Sequence, residues 1–208
     1  MTRPGTTIIP IRAFASGKSR LAPRLSAQHR CDLLRWMAER VVEAARPSET
    51  VVVTSADEVR SWALAMGLIT IPDPGTLNLA ARAGVDWAHA AGAERAIVVH
   101  ADLPLAQSLR SLGEPREPGE ILAVRSRTGD GTPALSLPAG LPFRFRYGEG
   151  SFERHRSESS RVGAPFREIL SARLAHDIDT QDDLAALPEV IRALPVVAAG
   201  LGRPARAR

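Results

Sequence analysis

Cysteine is almost absent. Cys31 is the only one in 208 residues, which excludes an intramolecular disulfide framework and any cysteine-rich zinc module. Aromatic residues are scarce too, with five Phe, three Trp and one Tyr, few for a surface that binds nucleic acid by base stacking. No apolar run approaches the ~18–20 residues that span a bilayer. The opening Met1-Thr2-Arg3-Pro4-Gly5 leads into a short strand-like run without the apolar core of a secretory leader. A cytoplasmic protein with no membrane partner is the expectation. Lysine is nearly missing: of 27 basic residues, all but Lys18 are arginine. There is also no H-E-x-x-H, no Ser/His/Asp signature and no G-x-G-x-x-G.

What remains has globular proportions, with 44% hydrophobic and 24% charged residues. The length suits one domain, placed at residues 1–190, followed by a basic, flexible tail at 191–208. The formal net charge is +4. Arg192, Arg203, Arg206 and Arg208 lie in a stretch without acids and match that excess, so the body is neutral and no nucleic-acid partner is expected.

Along the chain, strand patterns alternate with helix patterns. Thr6–Arg12, Thr50–Ser55, Leu68–Ile71 and Arg95–His100 read as strands. Ser26 caps a helix reaching about Arg46, with Leu33, Met37 and Val41 on one stripe. Further helices are expected at Glu58–Met66 and Leu77–Ala91. Later strands are expected at Glu120–Ser126, Pro133–Leu137 and Leu174–Ile178. Residues 138–164 read as a long functional loop with one short helix near Ser151–Arg156, and Thr180 opens a small helix ending before Pro188. This alternation predicts an α/β fold, with a mostly parallel sheet covered by helices on both faces. Trp36, Trp62 and Trp87 are expected in the core, and Cys31 is expected buried.

Three groups of residues can carry chemistry. Gly17-Lys18-Ser19 is not a P-loop, because the glycine required five positions earlier is Arg12. Still, Lys18 and Arg20 sit among small residues after the first strand, where an anion could approach the backbone. Second, Asp102 follows the strand Arg95–His100, and Asp177 and Asp179 sit two apart near another strand end. Residues two apart on an extended segment project the same way, and converging carboxylates suit Mg²⁺. Singly, Asp102 also reads as a helix cap before Leu105, and Asp179 as a cap on the Thr180 helix. Third, Tyr147-Gly148-Glu149-Gly150-Ser151 before a short helix makes an anion nest, with His155 one turn on and able to face the same anion. Gly131-Thr132 is a second, weaker nest. His100 reads as a packed strand-end residue, and Asp182 and Asp183 as a solvated helix start.

These pieces together resemble the 2-phospho-L-lactate guanylyltransferase family of deazaflavin coenzyme (F-420) biosynthesis. The resemblance runs from Ile9-Pro10-Ile11-Arg12 and Ala15 through Leu21 to Asp73-Pro74-Gly75 with Leu77-Asn78. It continues at His100-Ala101-Asp102-Leu103-Pro104, Gly129-Asp130-Gly131-Thr132, Tyr147 through Phe152 with His155, and Asp177-Ile178-Asp179-Thr180. It implies a single-domain, Rossmann-type nucleotidyltransferase fold (GT-A-like) acting on GTP and a small phosphorylated three-carbon acid. Lys18 and Arg20 would hold the nucleotide phosphates, with Asp73 and Asn78 helping to hold the nucleoside. Asp102, Asp177 and Asp179 would bind Mg²⁺. Thr132, Gly148 and Ser151, with His155 beside them, would hold the acceptor. Lys18, Arg20 and Asp102 are the catalytic candidates.

A phosphomonoester is mostly dianionic near neutral pH, its second pKa being about 6, so the acceptor is already a nucleophile and needs no general base. The implied reaction transfers GMP to 2-phospho-L-lactate, phosphoenolpyruvate or 3-phosphoglycerate and releases pyrophosphate. The product would pass to a downstream transferase, and a homodimer is compatible with the chain. A sugar-1-phosphate nucleotidyltransferase, a nucleotide-sugar glycosyltransferase of the same fold and a non-catalytic GTP-binding regulator are the alternatives.

Overall fold

Seven short runs pair into one sheet: β1 (Thr6–Pro10), β2 (Thr50–Val53), β3 (Ile69–Ile71), β4 (Arg95–Val99), β5 (Ile121–Val124), β6 (Ala134–Pro138) and β7 (Phe166–Glu168). The computed structural model describes residues 5–15 and 17–201. The strand order is β3-β2-β1-β4-β6-β5-β7. β1 pairs in parallel with β2 and β4, as β2 does with β3 and β5 with β7. Only β6 runs antiparallel to its neighbours, β4 and β5. The predicted mostly parallel α/β sheet is therefore present.

The chain leaves β1 toward one side, through β2 to the edge strand β3, and returns to the other side of β1 as β4. That reversal opens a crevice at the carboxyl ends of β1 and β4, where ligands bind in open α/β sheets.

Period-two alternation sorts each strand onto two faces. Ile9, Val52, Ile97, Val99, Leu122 and Val124 pack with α1 (Ala27–Ala45) and α2 (Asp57–Ala65). Ile8, Val53, Val98, Ile121 and Leu135 pack with α3 (Leu77–Ala90) and with Phe143, Phe145, Tyr147 and Phe152. Ser26 accepts from His29 N as the expected cap of α1; such a cap contributes about 1 kcal/mol. Gly84 allows α3 to lie against β1, since a Cβ there would come within 2.3 Å of Ile8 Cγ2.

The second half departs from expectation in several places. The helix α4 runs over Ser151–Arg161, well beyond Arg156. No strand forms at Leu174–Ile178. That segment crosses the carboxyl ends of the sheet, with single hydrogen bonds from Ile178 N to Asp102 O and from Arg127 N to Ala175 O in place of a ladder. The edge position goes to β7 instead. Asp183 is nearly buried and not solvated: it completes a capping box with Thr180 at the start of α5 (Gln181–Ala185) and pairs with Arg127. Of the tryptophans, Trp62 is buried, while Trp36 and Trp87 are half-buried at the edges of the core. Cys31 is likewise half-buried.

After α5 come α6 (Glu189–Arg192) and α7 (Pro195–Leu201). Val197, in the stretch expected as a tail, is fully buried and packs with Leu33 and Met37 of α1. Residues 202–208 of that stretch lie outside the described residues.

Candidate active site

The crevice at the ends of β1 and β4 is a cleft of about 520 Å³. Arg12, Gly17, Lys18 and Arg20 line it from the loop after β1, His100 and Asp102 from the end of β4, and Asp177 and Asp179 from the crossing segment. Residues 84 and 161 positions apart meet here. Lys18 Nζ lies 2.5 Å from Asp102 Oδ2 and 2.9 Å from Asp179 Oδ1.

Local backbone explains how Lys18 gets there. It has φ 55° and ψ 43°, the left-handed region, and it is the one non-glycine with positive φ among the described residues. Such a conformation costs of order 1–3 kcal/mol and persists only where the surroundings hold it; here two carboxylates do. Gly17 lets this loop press against α1, because a Cβ would come within 2.3 Å of Leu34 Cδ1.

Electrostatics follow the geometry. Burial works against the charged forms of Lys18 and Asp102. Their mutual attraction more than reverses it, so the Lys18 amine sits above its usual value and the Asp102 carboxyl below. Asp177 has no such cation. Burial, then repulsion from Asp102 and Asp179, push its carboxyl up. Asp179 is the most exposed member, with 52% of its side chain open. It does not cap α5; Thr180 does. Asp183 accepts from the Asp179 and Thr180 amides and so fixes where Asp179 points. Sequence reasoning missed this brace, although the Thr180-x-x-Asp183 spacing is a capping-box signal. Arg20 is exposed and makes no ion pair among the described residues.

The other expected site residues lie beside the cleft and do not line it. Asp73 Oδ1 accepts from Gly75 N, closing its own turn, and Arg12 reaches across to Gly75 O. The Asn78 carboxamide oxygen accepts from Tyr147 N at 2.7 Å, tying α3 to the glycine loop. Phe152 N donates to Asp130 O, which brings Thr132 and Ser151 to 3.0 Å between their hydroxyl oxygens. Gly148 is exposed, with φ 115°. His155 does not face outward: like Ser151 it is buried, and its ring is bonded to Thr132 and to Arg146 N. Burial first, then the nearby His100, push its imidazole down to about 3. His100 joins the two halves: it lines the cleft, its ring is 5.3 Å from that of Tyr147, and its amide bonds Pro133 O next to Thr132.

A hard cation suits this donor set. The candidate donors are all carboxylate oxygens, and Asp102 Oδ1 is buried with no hydrogen-bond partner among the described residues. Asp177 feels repulsion from Asp102 and Asp179, and burial with that repulsion holds its carboxyl above the usual value. Among the described residues, no three His, Cys, Asp or Glu are gathered into a ready metal-holding group, and the Lys18 ammonium stands between two of the acids.

Residues 5–190 match the family described as Guanylyl transferase CofC like. The chain belongs to this family. A phosphoenolpyruvate guanylyltransferase of Sphaerobacter thermophilus is 34% identical over 187 residues, covering 86% of this chain and 90% of that one. A 2-phospho-L-lactate guanylyltransferase of Methanothermobacter thermautotrophicus is 32% identical over 187 residues, covering 86% and 82%. A solved protein of Desulfovibrio desulfuricans G20, assigned to the nucleotide-diphospho-sugar transferases, superposes with TM-score 0.75 over 95% of this chain and 94% of that one. Its 11% identity speaks for the fold alone. Like other members of the guanylyl transferase family, this chain is a nucleotidyltransferase, and among its described residues no helix is long and apolar enough to cross a membrane.

Proposed function

We propose that the chain transfers GMP from GTP to a phosphorylated three-carbon acid, with release of pyrophosphate. One observation carries this reading: a buried ammonium, Lys18, is held by two carboxylates from distant parts of the chain at the mouth of a nucleotide-sized cleft. Joining two polyanions requires such an arrangement. The barrier is their repulsion, and preorganised cations in a desolvated site offset it.

An oxygen of the acceptor phosphate attacks the α-phosphorus of GTP. A new P–O–P bond forms, the bond to the β-phosphate breaks, and pyrophosphate leaves with its electron pair. Lys18 and Arg20 neutralise charge on the phosphates, and Lys18 is close enough to Asp102 to exchange one anionic partner for another. Asp102, Asp177 and Asp179 would hold Mg²⁺, whose chemistry here is charge neutralisation between the two substrates. The loop at Gly148 and Ser151 would position the acceptor, so that catalysis is largely in-line placement. The product is a disubstituted diphosphate whose new P–O–P linkage is an activated phosphoanhydride, suited to a downstream transferase of coenzyme F-420 assembly.

Mass spectrometry of an incubation with GTP, Mg²⁺, phosphoenolpyruvate, 2-phospho-L-lactate, 3-phosphoglycerate and glucose 1-phosphate tests this directly. A guanylylated phospho-acid is expected. Guanylylated sugar alone would favour a sugar-1-phosphate nucleotidyltransferase, and no product of any kind would favour a GTP-binding regulator.

A further inference from the structure

The sheet has a second end. β4 begins at Arg95, about 16 Å from His100 at 3.3 Å per residue. There a cavity of about 670 Å³ opens between the end of α1 and the loops around residues 108–119. It shares no lining residue with the cleft at Lys18 and Asp102. Its walls are largely apolar, with Ala44, Ala45, Leu109, Pro115 and Pro138 around Ile97.

Arg95 lines this cavity as well, and it is only 8% exposed. Arg95 and Ile97 stand two apart on β4 and share a face, so the arginine side chain lies on the side of the sheet that floors the cavity. It stretches across the neighbouring strands. Nη1 donates to Ser136 Oγ of β6 at 2.9 Å, and Nη2 donates to Glu120 O, just before β5, at 2.6 Å. Both partners are neutral. A guanidinium has five N–H donors; the other three, Nε–H among them, have no acceptor among the described residues, and neither does Arg95 make an ion pair with any of them.

The groups that could neutralise Arg95 are engaged elsewhere. The Glu120 carboxylate accepts from Arg167 Nε and Nη2 and from Arg116 N. The last carbonyls of α1 are taken up by backbone amides, Ala44 O by Leu109 N and Ala45 O by Ser48 N. At the mouth of the cavity Arg46 and Arg110 stand with Glu94 and Glu114, all four exposed, so the rim is balanced and the excess charge is the buried one. Burial accordingly pulls the guanidinium below its usual value, which Glu120 offsets in part and Arg167 does not help. Tying β4 to β6 and β5 calls for a donor and not for a charge. A buried cation with neutral partners is costly, and a guanidinium is the group suited to bidentate recognition of carboxylate or phosphate.

We propose that this cavity is a second ligand site, which takes a small organic anion. The carboxylate or phosphate head lies against Arg95, and a compact apolar body lies against the alanine and proline walls. The volume is in the usual range of small-molecule sites, about 300–1,000 Å³, and the combination of apolar walls with one placed polar group is typical of them. The site is separate from the cleft and does not depend on the reaction assigned there.

Calorimetric titration of the full chain without nucleotide tests this, with propyl phosphate, butyrate and 1-butanol as probes. At least one of the two anions is expected to bind with Kd below about 1 mM, and the neutral alcohol is not. The tighter anion identifies the head group. Arg95→Gln, whose amide can still donate to a neutral acceptor, should weaken that binding at least about tenfold, while Arg20→Met, in the cleft, should leave it within about twofold. Weaker binding of both anions, binding unchanged in Arg95→Gln, or binding lost in Arg20→Met would overturn the proposal. If Arg95→Gln does not fold, selenate soaked into crystals of the unmutated chain decides. Anomalous density within hydrogen-bond distance of the Arg95 guanidinium supports the site, and density confined to the cleft, or none, overturns it. A chain that fails to transfer GMP leaves each of these outcomes as informative as before.

Discussion

Lys18 and Asp102 form a 2.5 Å ion pair across 84 residues of chain, with the lysine side chain 7% exposed and the aspartate side chain 22%. A pair this sheltered is weak evidence for stability, because desolvation cancels much of the attraction. What it does supply is a fixed positive charge at the end of β4, next to a carboxylate with one oxygen, Oδ1, still unpartnered. Asp102→Asn removes the negative member while keeping size. Turnover is expected to fall at least about 100-fold, the scale seen when one preorganised electrostatic group is lost. Steady-state kinetics at saturating Mg²⁺, with circular dichroism to confirm folding, checks this.

Gly17→Ala tests how the loop holds Lys18. The new methyl would come within 2.3 Å of Leu34 Cδ1, so the loop must shift away from α1. A loss of about 1–3 kcal/mol in urea denaturation is expected, the usual scale for overpacking, together with lower turnover. Gly17→Ala with Leu34→Ala should recover activity relative to Gly17→Ala alone, because the obstructing side chain is gone.

Asn78 is an expected nucleoside ligand whose carboxamide oxygen the structure engages elsewhere, on Tyr147 N. Asn78→Ala would leave that amide without its acceptor, at a cost of about 1–3 kcal/mol. Asn78→Asp keeps the oxygen and should retain most of the stability. Denaturation midpoints for the two variants distinguish a loop-holding role from one confined to the nucleotide, in which case neither variant would lose stability.

His155 makes stability depend on pH in a defined direction. Its pKa is about 3 in the folded chain, against about 6.5 in an unfolded one. Between those values the unfolded chain binds a proton that the native ring does not, so stability rises with pH there. The contribution is complete above about 6.5 and is lost progressively as pH falls toward 3. Going from pH 6.5 to pH 5 should cost about 1.6 kcal/mol from this group, the slope rising from about half of 1.36 kcal/mol per unit at pH 6.5 to nearly all of it at pH 5. Urea denaturation across that range is expected to show a shallower slope in His155→Gln than in the parent. Equal slopes would contradict the assignment.

Much of this architecture can be read from local pattern. Arg95–Val99 announces itself as a buried strand, and Ser26 as a helix cap, because each signal depends on neighbours in sequence. The placement of Lys18 and Asp102 after strands points to one crevice by topology alone. Other features depend on partners far away. Phe166–Glu168 lacks strand alternation and is a strand because β5 offers an open edge. Leu174–Ile178 has the alternation, but its backbone bonds go to loops. The last turn of α4 is polar in composition and is held by Glu158, which caps Arg144 N and pairs with Arg161. The spacing of Ser151 and His155 places them on one helix face. That the histidine turns inward to Thr132 depends on the Asp130–Phe152 contact, which no local pattern encodes.

The most direct measurement is phosphorus NMR of GTP and phosphoenolpyruvate mixed with the purified chain and Mg²⁺. A site that joins two repelling phosphates should yield a guanylylated diphosphate and free pyrophosphate in equal amounts, with neither accumulating for Asp102→Asn. Spectra that keep only the starting phosphates with the unmutated chain, or an Asp102→Asn variant that forms the guanylylated diphosphate at the parent rate, would contradict the central role given to the Lys18–Asp102–Asp179 cluster.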